Sequence, residues 1–365
     1  MKQNKYSDYK ILHFEEKMNS FLKAEITAPI YVRIKPINLC NHGCFFCVYS
    51  TGFRVKDSKD KIDHIISGMH QNMSEKDFIP YEKMQEIISN LNLMGVKAVT
   101  YSGGGEPLIY KHIVSAMEMT LSKNIDLSII TNGQRLDKDR AEVLTNAKWV
   151  RVSMDYTSQE QMKEFRNVPF NYFDQVINNL KNFSRRKKAN CELAVNYIIH
   201  DKNYKNLYEF VKILKDCGVE NVRLSPMWTP NFYEYHKKIS NEVEKEMSKI
   251  QNLIDASFTV NTTYNIVPNS SHSIHRVYNK CFIMQTVPVI GADLNVYACH
   301  NKAYDDSGLI GSIKDKTFKE LWFSEATKKF MQDFNPRRKC LHECSNDKKN
   351  ILINEVLDSN FDNFV

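Results

Sequence analysis

The chain has 365 residues, 42% hydrophobic and 25% charged, with nine cysteines and a formal net charge of +7. That length holds one large domain or two smaller ones, and the composition excludes a disordered, collagen-like or membrane-bundle chain. The charge is mild and spread. Its one dense run, Arg185-Arg186-Lys187-Lys188, reads as the cationic end of a helix, so nucleic acid is not expected as a partner.

Residues 1–25 read as an N-terminal segment without a signal-peptide core, because Glu15 and Glu16 interrupt the first apolar run. No run of about eighteen apolar residues occurs, so no membrane span is expected. The expected compartment is the cytoplasm, where many cysteines point to metal or redox chemistry rather than disulfides.

Residues 26–236 alternate strand and helix signals. Alternating or β-branched runs predict strands at 30–35, 96–102, 126–131, 149–154, 192–199 and 221–225. Helical spacing links Met84, Ile87, Ile88 and Leu91, with Gly95 beyond as a cap. It recurs at Phe173, Val176, Ile177 and Leu180, and at Leu207, Phe210, Val211 and Leu214 before Gly218. This alternation predicts an α/β fold with a parallel sheet and right-handed crossovers, a partial (β/α)6 barrel of the TIM type. Chemistry is then expected at the C-terminal strand ends. A linking helix is predicted at 240–258, inside a linker at 237–259. Short β-like pieces in 287–296 mark a smaller domain at 260–350, with a tail at 351–365.

Cys40, Cys44 and Cys47 follow the first strand in C-x3-C-x2-C spacing. A structural zinc site wants four closed ligands. An iron–sulfur cube on three cysteines leaves one iron open for a small molecule. His42 lies inside the loop between two of these thiols and is not expected to be a fourth ligand.

This three-cysteine loop resembles the signature of the radical SAM superfamily. The resemblance implies a [4Fe-4S] cluster whose open iron chelates the amino and carboxylate groups of S-adenosylmethionine. It also implies one-electron cleavage of the sulfonium and hydrogen abstraction from a substrate by the 5′-deoxyadenosyl radical, chemistry the cofactor carries. It places Phe46, the aromatic before the third cysteine, by the adenine. Gly103-Gly104-Gly105-Glu106, by itself an ordinary strand-to-helix turn with positive-φ glycines, resembles the family's glycine–glutamate motif. There backbone carbonyls and Glu106 receive the methionine ammonium. Ser153 at the fourth strand end, with Asn132 and Asp155 behind it, is implied to hold the ribose and carboxylate. Arg166 would meet the methionine carboxylate, a bidentate task that suits guanidinium, or else form a surface ion pair. Asn196, polar in an apolar strand, needs a partner, and the cofactor is one option.

Cys281, Cys299, Cys340 and Cys344 stand in C-x17-C, x40, C-x3-C spacing. Asp293 and Asn295 read as a tight turn that lets Cys281 and Cys299 meet across a hairpin. Ligand type alone allows zinc or a fully ligated iron–sulfur cluster. With the Gly308-Leu-Ile-Gly-Ser-Ile-Lys stretch and Leu321-Trp322, this segment resembles the SPASM/Twitch extension of the same superfamily. Only Cys340 and Cys344 of the terminal SPASM cysteine set are present. The resemblance therefore implies the shorter Twitch form with one auxiliary [4Fe-4S] cluster, and zinc remains the alternative. His300 and His342 neighbour these ligands and read as surface residues. Cys191 and Cys217 read as core packing.

A cluster closed by four thiolates has no vacant iron, so its expected task is electron transfer in a net oxidation of the substrate. Residues 49–76, with Lys56, Lys59, Lys61, His64 and His70, form a long polar loop expected at the barrel mouth. Residues 228–235 are aromatic and read as linker packing or as a lid. About thirty residues precede the first strand, few for a leader-binding domain, which leans toward a small sugar- or nucleotide-like substrate. A peptide-modifying (RiPP-type) maturase is the alternative. A non-enzymatic iron–sulfur or zinc redox or binding protein is a further one. The basic surface fits an acidic electron donor such as a flavodoxin or ferredoxin.

Overall fold

The computed structural model describes residues 7–49, 72–169, 171–229, 232–264, 276–340 and 344–359. The lysines and histidines of the long polar loop (Lys56, Lys59, Lys61, His64, His70) lie outside the described residues, as do Pro230, Asn231 and His342.

Seven parallel strands pair in sequence order: β1 (Tyr31–Ile34), β2 (Ala98–Tyr101), β3 (Asp126–Thr131), β4 (Trp149–Ser153), β5 (Glu192–Ile199), β6 (Asn221–Pro226) and β7 (Thr259–Thr262). On the other edge of β1 lies β8 (Val289–Ile290), also parallel, followed by antiparallel β9 (Asn295–Tyr297) and β10 (Leu309–Ser312). The ten strands of the described residues form one sheet.

All six predicted barrel strands are present, because each buries alternate apolar residues under helices. Tyr101 donates to the Ala116 carbonyl at 3.2 Å, and the Tyr197 ring meets Phe210 at 4.2 Å, so these positions face the helical layer. The helix Tyr81–Leu93 buries Met84, Ile87, Ile88 and Leu91, and the chain leaves it through Gly95 at φ +75°. Leu207–Asp216 ends similarly at Gly218, φ +77°.

Two expectations differ from the structure. The helix predicted at 240–258 ends at Ile250, followed by one 3₁₀ turn, Gln251–Leu253. The Asp255 carboxylate then accepts from the backbone N–H groups of Ser257 and Phe258 at 2.7 and 2.9 Å, which turns the chain into β7. β7 itself continues the barrel rhythm past the six predicted units, pairing Asn221 to Leu224 with Thr259 to Thr262.

The C-terminal segment is built onto the barrel. Its helix Phe318–Trp322 opens with a Thr317–Glu320 capping box, and the Trp322 indole donates to the Thr27 carbonyl at 2.9 Å. The β8–β9 turn passes through Leu294 at φ +63°, with Asp293 accepting from the Asn295 N–H at 3.2 Å. No helix among the described residues is long and apolar enough to cross a membrane.

Candidate functional site

The three-cysteine loop leaves the C-terminal end of β1 and is held from several sides. The N–H groups of Gly43 and Phe45 donate to the carbonyls of Arg166 and Phe165 at 2.7 and 3.2 Å, the last residues of the helix Gln159–Arg166. Asn41 bridges the turn after β3: it donates to Gln134 at 2.5 Å and accepts from Asn132 at 2.8 Å. His42 is buried with Nε2 at 3.1 Å from Gln134 Oε1. Burial, and then Arg166, push its pKa down to about 3, so it is a neutral strut of the loop.

Burial, then Glu106 and the neighbouring thiols, push Cys40 up to about 12. Cys44 rises to about 11 by burial, against the pull of Arg166. Thiols held this way, within reach of one another's charge, wait for a cation to become thiolates. Among the described residues no three His, Cys, Asp or Glu side chains converge closely enough to hold one metal ion.

Arg166 is no surface ion pair: it is only 4% exposed. Its Nε and Nη2 each reach Asp155 Oδ1 at 2.9 Å, and Nη1 donates to Cys44 Sγ at 3.3 Å. Its guanidinium also lies over the rings of Phe46 and Tyr156, at 5.3 and 5.6 Å. Asp155 Oδ2 and the Tyr156 hydroxyl are buried with no hydrogen-bond partner among the described residues. Phe46 packs edge-on against Phe45 and stacks on His200 at 6.0 Å.

The glycine turn is needed for close approach, since none of its three residues is at positive φ. A Cβ on Gly105 would collide with the Leu39 carbonyl, and one on Gly104 with the Asn38 side chain. Gly105 and Glu106 donate backbone N–H bonds to Ile37 and Leu39, each at 3.0 Å, clamping the turn to the cysteine loop. The Glu106 carboxylate accepts from Thr131 Oγ1 at 2.6 Å and from the Asn132 and Leu108 N–H groups at 2.7 and 3.0 Å. It therefore latches the ends of β2 and β3 together, and burial raises its pKa.

Ser153 and Asn196 are register partners on β4 and β5, both half-buried, and Asn196 accepts from Ser225 at 3.2 Å. In the 228–235 stretch, Tyr235 donates to Asp201 at 2.7 Å, so it packs on the loop after β5.

Sequence reasoning missed Lys35. Its ammonium donates to the Gly103 carbonyl and to Tyr49 Oη at 3.0 Å, and Tyr49 in turn donates to the His300 carbonyl at 3.1 Å. Burial, then Arg33, push Lys35 down to about 7. The available signal was an alternating charged pair, Arg33 and Lys35, in and just after an otherwise apolar strand.

The second cysteine set also shares one electrostatic neighbourhood. Burial, then the neighbouring thiols, raise Cys281, Cys299 and Cys340 each to about 12. Cys344 is raised by burial. Asn350, fully buried, donates to Cys281 Sγ at 3.4 Å and accepts from the Phe282 and Ile283 N–H groups. Cys191 and Cys217 lie in the main hydrophobic core.

The donor sets fit the groups the motifs imply. The first offers three thiols, a close-approach backbone turn and an orphaned carboxylate oxygen; the second offers four thiols.

Residues 34–212 match the family model described as the Radical SAM superfamily, and residues 281–346 match an iron–sulfur cluster-binding domain, SPASM. The chain is 25% identical over 236 residues to a protein named GTPase Obg from Brachyspira hyodysenteriae, covering 63% of this chain and 32% of that one. It is 25% identical over 235 residues to a GTP 3′,8-cyclase of Alkaliphilus metalliredigens, covering 61% and 64%. The chain thus spans about a third of the first relative and under two thirds of the second. In fold it resembles Streptococcus suis SuiB bound to S-adenosylmethionine, with TM-score 0.64, 18% identity and coverage of 98% and 81%. SuiB is also seen bound to its precursor peptide SuiA, with TM-score 0.62, 17% identity and coverage of 92% and 74%.

Proposed function

The chain belongs to the radical SAM superfamily and carries a C-terminal SPASM/Twitch-type cluster domain, and from that premise we propose an enzyme that cleaves S-adenosylmethionine reductively and takes a hydrogen atom from a small, nucleotide-like substrate. The observation that carries this reading is the Cys40–Cys44–Cys47 loop clamped between the Gly103–Glu106 turn and Arg166. When bound, the cluster and S-adenosylmethionine supply the one-electron chemistry.

The chain's own residues hold and orient. Cys40, Cys44 and Cys47 would ligate the first cluster, with Arg166 donating to the Cys44 sulfur. Gly104 and Gly105 let the backbone of their turn lie against the loop, and the Gly103–Gly105 carbonyls are the acceptors for a ligand ammonium. Phe46, backed by His200, forms an apolar wall for a purine ring and excludes water there. Ser153, Asn132 and Asn196 offer polar contacts at the strand ends, and Arg166 the carboxylate contact. Cys281, Cys299, Cys340 and Cys344 would hold an auxiliary [4Fe-4S] cluster, which would supply electron transfer for a net oxidation. An acidic flavodoxin or ferredoxin is the donor that suits the basic chain.

The GTP 3′,8-cyclase relative favours the nucleotide-like substrate. The SuiB likeness in fold favours a second reading, a peptide substrate. Anaerobic reconstitution tests the core of the proposal. About eight irons per chain and formation of 5′-deoxyadenosine with a strong reductant are expected. Four irons with zinc in the tail set would overturn the auxiliary cluster, and no 5′-deoxyadenosine would overturn the enzyme. Product analysis with nucleotide and peptide pools separates the two substrates.

A further inference from the structure

Asn350 is a buried amide in an apolar place. It lies in the helix Asp347–Asp358 and is only 1% exposed. Around it Phe282, Ile283 and Ile353 pack with Ile11, Met18 and Phe21 of the N-terminal segment. A buried amide has to satisfy both an acceptor end and a donor end. The Oδ1 of Asn350 accepts from the N–H groups of Phe282 and Ile283, at 2.9 and 3.3 Å. Those two donors can meet only the oxygen, so they fix which way the amide faces. Its NH2 end is thereby turned onto Cys281 Sγ, at 3.4 Å. One turn later Asn354 donates to the Lys280 carbonyl at 3.3 Å, so the same helix grips the chain on both sides of Cys281.

Main-chain donors also reach these thiols: the Met284 N–H bonds Cys281, those of Asn301 and Lys302 bond Cys299, and that of Asn346 bonds Cys344. They come with the local turns, whatever the side chains. Asn350 is a side chain brought to Cys281 from 69 residues away. Capping the 282–285 turn needs only an oxygen, and a carboxylate caps as well as an amide. The amide does what a carboxylate does not: it sets an N–H, rather than a negative charge, against the sulfur. Hydrogen bonds to ligand sulfurs help set the potential of an iron–sulfur site. When a loaded site gains one electron, negative charge on its sulfurs grows. A fixed N–H is therefore worth more in the reduced state than in the oxidised one, and apolar surroundings leave that difference unscreened.

We infer that Asn350 is a positioning residue that raises the reduction potential of the auxiliary site through Cys281, and so suits that site to accept an electron. This deepens the proposed function and rests on its iron–sulfur reading of the four C-terminal cysteines.

The test is a redox titration of the reconstituted full chain with dithionite as electron source, followed by EPR. A chain with Cys40→Ala, Cys44→Ala and Cys47→Ala assigns which reduction step belongs to the C-terminal set. Asn350→Leu removes the donor without adding charge. It should lower the auxiliary step by about tenfold in the one-electron equilibrium, about 59 mV, and leave the other step in place. Asn350→Asp keeps the capping oxygen, so it should retain iron even where the Leu variant loses it, and should lower the step further. Asn354→Leu loses a carbonyl bond but no sulfur bond, and should move neither step. An unmoved or raised auxiliary step in either Asn350 variant, or an equal shift in Asn354→Leu, overturns the inference. Zinc in the C-terminal set of the parent chain would overturn the iron–sulfur reading and this inference with it, whereas iron there with an unmoved step would overturn the inference alone. A lowered step in a chain that forms no 5′-deoxyadenosine would leave the role of Asn350 standing and sink the proposed function.

Discussion

Arg166 donates to Cys44 Sγ while two of its other nitrogens hold Asp155 Oδ1, so one buried guanidinium joins a cluster ligand to the end of β4. Removing one member of a buried ion pair leaves an uncompensated charge and costs about 3–5 kcal/mol. Arg166→Met should therefore destabilise the chain by about that much in urea unfolding, and adding Asp155→Asn should recover part of it. Arg166→Lys keeps the charge but loses the fork. Its loaded first cluster should show a shifted reduction potential, because hydrogen bonds to ligand sulfurs help set that potential.

Gly105 and Gly95 should respond differently to alanine. At Gly105 the added carbon meets the Leu39 backbone next to Cys40, so the loop must move. Gly105→Ala is expected to cost about 1–3 kcal/mol by overpacking and to lower the iron bound at the first site. Gly95 has open space but φ +75°, so Gly95→Ala should cost about 1 kcal/mol and leave iron content unchanged. Equal iron content in both variants would remove the clamp argument.

Tyr304 connects the C-terminal segment to the first site. Its hydroxyl donates to Asn38 Oδ1 at 2.5 Å and accepts from the Ala292 N–H at 3.1 Å, while Asn38 donates to the Ser74 carbonyl at 2.9 Å. Tyr304→Phe should cost about 1–2 kcal/mol. A double-mutant cycle with Asn38→Ala should show coupling of about 1 kcal/mol; strict additivity would mean the two residues act separately.

His200 supplies a pH dependence. Burial, then Lys202 and Arg166, lower its pKa from the ordinary 6.5 to about 3. Between those values the unfolded chain binds a proton that the folded chain refuses. Stability from this residue is thus complete above about pH 6.5 and is lost as pH falls toward 3, by up to about 1.4 kcal/mol per unit. Urea midpoints at pH 6.5 and 4.5 should fall less steeply for His200→Gln than for the parent chain.

What was legible in the sequence was local. β1 to β6 declare themselves because each alternates under its own helix. The two cysteine sets declare themselves by spacing. β7 is Thr-Val-Asn-Thr on the outer edge of β6, half-buried, with no apolar run to mark it. β8 is two residues long and owes its existence to β1, far away in the chain. Lys35 escaped because its partners are Gly103, 68 residues on, and Tyr49 within the cysteine loop's far end. Arg166 was readable as a candidate, but its burial against Cys44 is a tertiary fact. Glu106 looked like a free carboxylate because Thr131 and Asn132, which occupy it, lie on the next strand end.

The pairing of β8 with β1 also sets a timetable. β1 is among the first strands to be synthesised, yet Val289, which covers its outer edge, comes about 250 residues later. At about 5–20 residues per second, that edge stays open on the ribosome for roughly ten to fifty seconds. Throughout that interval the growing chain offers an unpaired backbone ladder to any neighbour. Slower growth and chaperone supply during expression bear on this strand before any iron is delivered, and its closure is a late event in the life of each molecule.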